Sequence, residues 1–291
     1  MRISKKIVWL GALLASTAAA QMSQYPSPMV ENTRAHLRLE KQVAAGQRIK
    51  LSGGSLFIPA ALANKDKVCL FIHFHGADWI GELAASDNDV AVLSVNLGGG
   101  SSRYARPFLE NPRRLEEWQR EVETESGKQI SELHLSAWSA GYGAIREILK
   151  RPANHANVHS VILLDGLHTD YTTGKPGPVE SELVTDGLQV FLDWARLAAA
   201  RQKQMLITHS EIFPGTFAST TETADYLVSE LSFNRMAVLK WGPMQTQQLS
   251  EVRAGNLLVL GFAGNSAPDH VDHLHSIRSF WKMMIADKNK K

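Results

Sequence analysis

ISELHLSAWSAGYGAIREILKR, residues 130–151, reads as a buried strand, a sharp turn carrying a serine, and a helix. Leu133 to Trp138 alternate at first and then turn apolar, as a mostly buried strand does. Ser139 follows directly, with the small residues Ala137, Ala140, Gly141 and Gly143 around it. A serine at a strand-to-helix corner sits in a strained backbone conformation. The residues two before and two after it must therefore be small enough for strand and helix to approach. Ala137 and Gly141 meet that requirement. Beyond the turn, Ile145, Ile148 and Leu149 recur at helical spacing, Lys150 and Arg151 suit a helix C-terminus, and Pro152 stops the helix. Such a corner exposes a hydroxyl beside a helix N-terminus. A serine that merely caps a helix is the competing reading.

Working outward, residues 46–59 read as a hairpin turning at Gly53-Gly54. The runs VCLFIHFHG (68–76) and VAVLSVNLG (90–98) are almost continuously apolar, as are SVILLDG (160–166), QMLITHS (204–210) and NLLVLGFAG (256–264). Strands covered on both faces have this composition. Helices are expected between them at about 112–125, 182–202 and 220–232, the last opening on the capping box Ser219–Glu222, with a final helix over roughly 271–286. This alternation predicts an α/β fold: a doubly wound, mainly parallel sheet with helices on both faces and ligands beyond the strands' carboxyl ends. The polar residues gather at those ends: Ser139, His75 to Asp78, Asp165 to His168, Ser210-Glu211, and the segment from Gly264 to His275.

The first twenty residues carry Arg2, Lys5 and Lys6, an apolar core from Ile7 to Ala15, and Ala18-Ala19-Ala20 before a cleavage point, the pattern of a signal peptide. Residues 21–291 are then expected to form a single domain, secreted or periplasmic, with no membrane span. Without the three basic leader residues the formal charge of +2 becomes −1, so nothing in the balance favours nucleic acid. Cys69 is the single cysteine, which excludes an internal disulfide framework. Within its apolar run it reads as a small buried hydrophobe.

The motif AWSAG, with the order of polar clusters after it, resembles the nucleophile elbow of the α/β-hydrolase superfamily, usually written GxSxG. The resemblance implies a serine hydrolase in which Ser139 is the nucleophile, followed in sequence by an acid and then a histidine. His270, His273 and His275 compete for the histidine. His270 is preferred because it falls at the junction between loop and last helix, and His273 is its substitute. Asp165, ending the VILLDG strand with Gly166 behind it, is the preferred acid; Glu211, after the LITHS strand, is the alternative. The superfamily takes oxyanion donors from the residue after the nucleophile, here Ala140, and from an HG-type loop that HFHGAD resembles, where Ala77 is the candidate. Trp79, Trp138 and Tyr142 are candidates for a pocket wall.

A carboxylic-ester hydrolase acting through an acyl-enzyme is thus the expected activity, on a small-molecule or polymer ester, with no cofactor and no metal. A serine peptidase on the same fold is the near alternative, with the insertion 174–187 forming part of a lid or subsite. A metal-dependent hydrolase using His73, His75 and the His270–His275 cluster is a further reading, because His73 and His75 alternate onto one strand face. A ligand-binding protein on a hydrolase-like fold without catalysis is the last. The serine mechanism needs a neutral imidazole, so activity is expected to rise through roughly pH 6–7.

Overall fold

Strands without a polar face cannot meet solvent and must lie inside a sheet. The computed structural model describes residues 35–173 and 182–286; the expected leader and most of the 174–187 insertion lie outside them. Among the described residues the strands are β1 (Gly46–Lys50), β2 (Ser55–Pro59), β3 (Lys67–Phe74), β4 (Ala91–Val95), β5 (Gln129–Trp138), β6 (Val158–Leu164), β7 (Gln204–His209), β8 (Met236–Trp241), β9 (Gln247–Ala254) and β10 (Leu257–Phe262). The helices are α1 (Asp78–Asp87), α2 (Ser101–Glu110), α3 (Arg114–Ser126), α4 (Tyr142–Leu149), α5 (Pro152–Asn157), α6 (Gln189–Ala199), α7 (Thr220–Glu230), α8 (Ala267–His275) and α9 (Ile277–Ala286). All ten strands join one sheet in the order β1-β2-β4-β3-β5-β6-β7-β10-β9-β8. Its centre, from β4 through β10, is parallel. The β1–β2 hairpin on one side and β9 with β8 on the other are antiparallel.

The expected doubly wound sheet is therefore present, and two apolar layers cover it. Tyr104, Trp118, Ile145 and Phe191 belong to one; Ile80, Ala84, Phe280 and Trp281 belong to the other. The chain leaves β3 to make β4 on one side and returns to make β5 on the other, so the order reverses between β3 and β5. A crevice opens beyond the carboxyl ends of strands at such a reversal. Ser139 follows β5 at that point.

Several boundaries differ from the sequence reading. Helices α1 and α2 occupy stretches to which the sequence reading gave no element: the glycines before α2 and Pro107 inside it hide a helix whose Tyr104, Ala105 and Phe108 are buried. The 182–202 helix is confined to α6. The last helix is two, and α8 starts at Ala267, where Ser266 and Asp269 cap it. Strand β8 went unread because it is an exposed edge with almost no buried side chain, and β9 because two of its buried side chains, Gln248 and Glu251, are polar.

The buried histidines include His73 and His209. His73 bonds through Nδ1 to the Ser136 hydroxyl at 3.0 Å, and His209 through Nδ1 to Thr221 at 2.9 Å. Burial, reinforced by His75 beside the first and Arg235 beside the second, lowers both to about 3. The unfolded chain takes up protons at these positions below about pH 6.5, whereas the folded chain does not until about pH 3. Folding stability is thus undiminished by them above pH 6.5 and falls as pH drops toward 3. Each contributes up to about 1.4 kcal/mol per pH unit in that window, so the pair is expected to remove about 3 kcal/mol between pH 5.5 and 4.5. Urea midpoints measured across that range check this; a midpoint independent of pH from 6.5 to 4.5 contradicts it.

Candidate active site

Ser139 has φ 48°, in the left-handed region that side chains avoid, so the turn holds it in a strained conformation. Two close approaches make the turn possible. A side chain at Gly141 would stand 2.2 Å from the Phe74 carbonyl oxygen, and one at Gly166 would stand 2.6 Å from the backbone nitrogen and oxygen of Ser139 itself. Glycine at these points lets β3, β6 and the start of α4 converge on the serine. The elbow continues into a short 3-10 turn, Ser139–Gly141, and then α4. As the second residue of that helical start, Ala140 has an N–H with no acceptor within its own helix.

Asp165 directly follows β6 and has φ 43°, a conformation aspartate tolerates better than most residues. Its carboxylate is buried and fully engaged. Oδ1 accepts from Ser210 N at 2.9 Å and from Thr220 Oγ1 at 2.6 Å; Oδ2 accepts from Ser210 Oγ at 2.8 Å and lies 2.7 Å from His270 Nδ1. Burial alone raises the pKa of a carboxyl. Here the His273 and His270 imidazoles and the hydrogen bonds from His270 and Thr220 together outweigh it and hold Asp165 well below the usual carboxylate range. An anionic partner at Nδ1 keeps the His270 proton there and leaves Nε2 as the basic atom.

Ser139, Asp165 and His270 line one cavity of about 560 Å³, walled on its apolar side by Ile212, Pro214 and Phe217. A second, of about 530 Å³, shares Ser139, His168 and Phe217 and adds the polar Ser101, Arg146 and Asp170. The serine thus stands where the two meet. Ala140 borders the second cavity, whereas Ala77, the residue before α1, borders neither.

The alternative residues go elsewhere. Glu211 is exposed and pins the loop after β10, its N–H bonded to Gly264 O at 2.8 Å and its Oε2 accepting from Gly264 N at 3.3 Å. His273 is buried one helical turn beyond His270, with Nδ1 2.7 Å from Thr208 Oγ1. His275 Nδ1 accepts from Leu39 N at 3.0 Å. His73 and His75 do not share a face, because β3 ends at Phe74 and His75 turns away with φ 73°. His73 meets Trp281 edge-on in one apolar layer, while His75 bonds Tyr104 OH at 2.8 Å in the direction of the other. The histidines named for a metal-dependent hydrolase therefore reach separate partners, and that reading is corrected. His270 itself lies within the first turn of α8, not at a loop junction, because helix capping begins earlier than its apolar spacing.

Trp138, a candidate for a pocket wall, packs against two histidines. Its ring lies between His75, stacked at 4.9 Å, and His270 at 4.7 Å, and its Nε1–H donates to the His270 carbonyl at 3.0 Å. Of the other two aromatics, Tyr142 lines the second cavity and Trp79 packs edge-on to His275. Replacing Trp138 with Phe keeps a stacking ring and removes one hydrogen bond, about 1 kcal/mol. If the His270 ring works in catalysis, kcat/KM on a chromogenic ester is expected to fall about 5-fold in Trp138→Phe; an unchanged value separates the indole from the site.

The strand order, the serine elbow and the reversal point beside it decide the architecture. This is an α/β-hydrolase fold. No protein-family model and no curated protein matches the sequence. Solved structures similar to this chain include an esterase from Pyrobaculum calidifontis, with 10% identity, 85% of this chain and 86% of that one covered, and a TM-score of 0.46. A poly(3-hydroxybutyrate) depolymerase from Bordetella parapertussis has 14% identity, 82% and 90% coverage, and a TM-score of 0.46. An acetyl xylan esterase from Aspergillus awamori has 10% identity, 81% and 100% coverage, and a TM-score of 0.43.

Proposed function

We propose that this protein is a serine hydrolase of carboxylic esters, in which Ser139 attacks the ester carbonyl, His270 takes and returns the proton, and Asp165 holds the imidazole. The single observation that carries this reading is the 2.7 Å contact from His270 Nδ1 to a buried, fourfold hydrogen-bonded Asp165 in the same cavity as a strained serine. An unassisted serine hydroxyl is a weak nucleophile, and an imidazole oriented by a buried carboxylate is the group that activates it. His270 Nε2 removes the hydroxyl proton as Oγ bonds to the carbonyl carbon. The carbonyl electrons move to oxygen, and the Ala140 N–H is the candidate donor to that oxyanion. His270 then protonates the departing alcohol, and water repeats the sequence to release the acid. The apolar cavity suits a hydrocarbon portion of the substrate, the polar one its hydroxylated or charged portion.

On this reading residues 1–20 are removed and residues 21–291 work as one domain outside the cytoplasm, on a small or polymeric ester. A fluorophosphonate probe tests the chemistry: a stoichiometric adduct mapped to Ser139 by mass spectrometry is expected, and unmodified protein after prolonged exposure overturns it.

A further inference from the structure

At the opposite end of the central strands, three side chains with different metal-binding chemistry face one another. Cys69 of β3 and Glu132 of β5 are direct neighbours in the sheet register, and His134 is two residues further along β5, on the same face. One donor atom from each, the thiol sulfur, a carboxylate oxygen and a ring nitrogen, lies within 4.8 Å of the other two. The sheet is irregular there: β-bulges interrupt the pairing at Val68/Cys69 and again at Leu133/His134. Bulges of this kind re-aim side chains.

His134 supplies the second observation. The residue is wholly buried and its ring stacks on Phe71 at 4.5 Å and 8°, so its orientation is fixed. Nδ1 lies 2.7 Å from Ser160 Oγ, but Nε2, also buried, has no hydrogen-bond partner. With the Nδ1 proton donated to Ser160, the Nε2 lone pair points into the cluster. That is how metal-bound imidazoles are held, one nitrogen anchored by an outer hydrogen bond and the other on the ion. Glu132 Oε2 is 3.5 Å from Nε2. This is long for a hydrogen bond and close to the separation of roughly 3.4 Å between two ligands on one tetrahedral zinc with bonds near 2.1 Å.

We infer that Cys69, Glu132 and His134 form a binding site for one divalent transition metal of the zinc type. Thiolate, imidazole and carboxylate together suit zinc and disfavour calcium and magnesium, which take oxygen ligands. Cys69 and Glu132 are partly exposed, which gives the ion a path in and leaves room for water as a fourth ligand. The site stands roughly 16 Å from Ser139, five strand residues along β5, so it ties β3 to β5 and takes no part in ester cleavage. It is independent of the proposed activity.

The test uses purified full-length protein, with the thiol kept reduced by a phosphine, dialysed against chelator and titrated with zinc alone. One equivalent is expected to bind and to raise the melting temperature. Cobalt in its place is expected to give a thiolate-to-cobalt charge-transfer band. Cys69→Ser is expected to abolish that band, and both Cys69→Ser and Glu132→Gln to weaken zinc by roughly 100-fold or more, beyond the loss typical of an outer-shell partner. These two positions are partly exposed and the replacements nearly isosteric, so circular dichroism should show an unchanged fold. Less than one equivalent of zinc bound, or undiminished zinc affinity in Cys69→Ser, overturns the site. Loss of esterase turnover on chelation alone overturns its separation from catalysis.

Discussion

Ser139→Ala is expected to reduce ester turnover by about 10⁵-fold or more while leaving melting temperature and circular dichroism unchanged. The magnitude follows from the role: a serine nucleophile and its base act as a unit, and removing either forfeits nearly all that the pair contributes, leaving the modest rate supplied by binding and oxyanion donors. The retained fold follows from the geometry. Alanine meets the same strain at φ 48° as serine does, and deleting one hydroxyl oxygen at a cavity wall fills no core space and opens none. Binding of a non-hydrolysable ester analogue is expected to persist in the variant, which separates lost chemistry from lost recognition. A residual rate within 10-fold of the wild type would mean that Ser139 is a structural turn residue and that hydrolysis, if present, uses another group.

Much of this arrangement was legible in the sequence because the physics involved is local. Apolar runs buried on both faces can only be inner strands, and the elbow needs small residues at fixed offsets, so β3 to β7, β10 and the serine corner follow from composition and spacing. The polar groups after those strands are gathered by topology alone. What could not be read depends on contacts between distant segments. Nothing near Asp165 in sequence announces that Ser210 and Thr220 converge on its carboxylate; the one local signal is Gly166, whose missing side chain lets the chain after β6 pass against Ser139. Trp138 as the platform under His270 is equally non-local, 132 residues apart in the chain. The edge strand β8 escaped detection for the opposite reason: an exposed strand buries too little to leave an apolar pattern, while its neighbour β9 buries the polar Gln248 and Glu251 beside Val252.

The choice between two acids gives the second large effect. Asp165→Asn is expected to lower kcat about 10³- to 10⁴-fold near pH 7.5, and Glu211→Gln to leave it within about 2-fold. An amide at position 165 keeps the size of the side chain and tolerates the left-handed backbone, so the fold should survive. What changes is the partner offered to His270 Nδ1. With no anion there, the imidazole loses the hydrogen bond that fixes its tautomer, and the imidazolium formed as the serine gives up its proton loses its counter-charge. The network around Oδ2 sharpens the loss, because Ser210 Oγ and His270 Nδ1 both bond that single oxygen, and an NH₂ group in its place turns an acceptor shared by two donors into a donor. Glu211, by contrast, bonds only the backbone of Gly264 among the described residues, and its amide analogue can accept the same hydrogen bond. Steady-state kinetics on one chromogenic ester, with burst amplitudes to count active sites, distinguish the two. If Glu211→Gln is the slow enzyme and Asp165→Asn the fast one, then the acid follows β7, and the buried carboxylate of Asp165 is a structural knot between β6, Ser210 and α7.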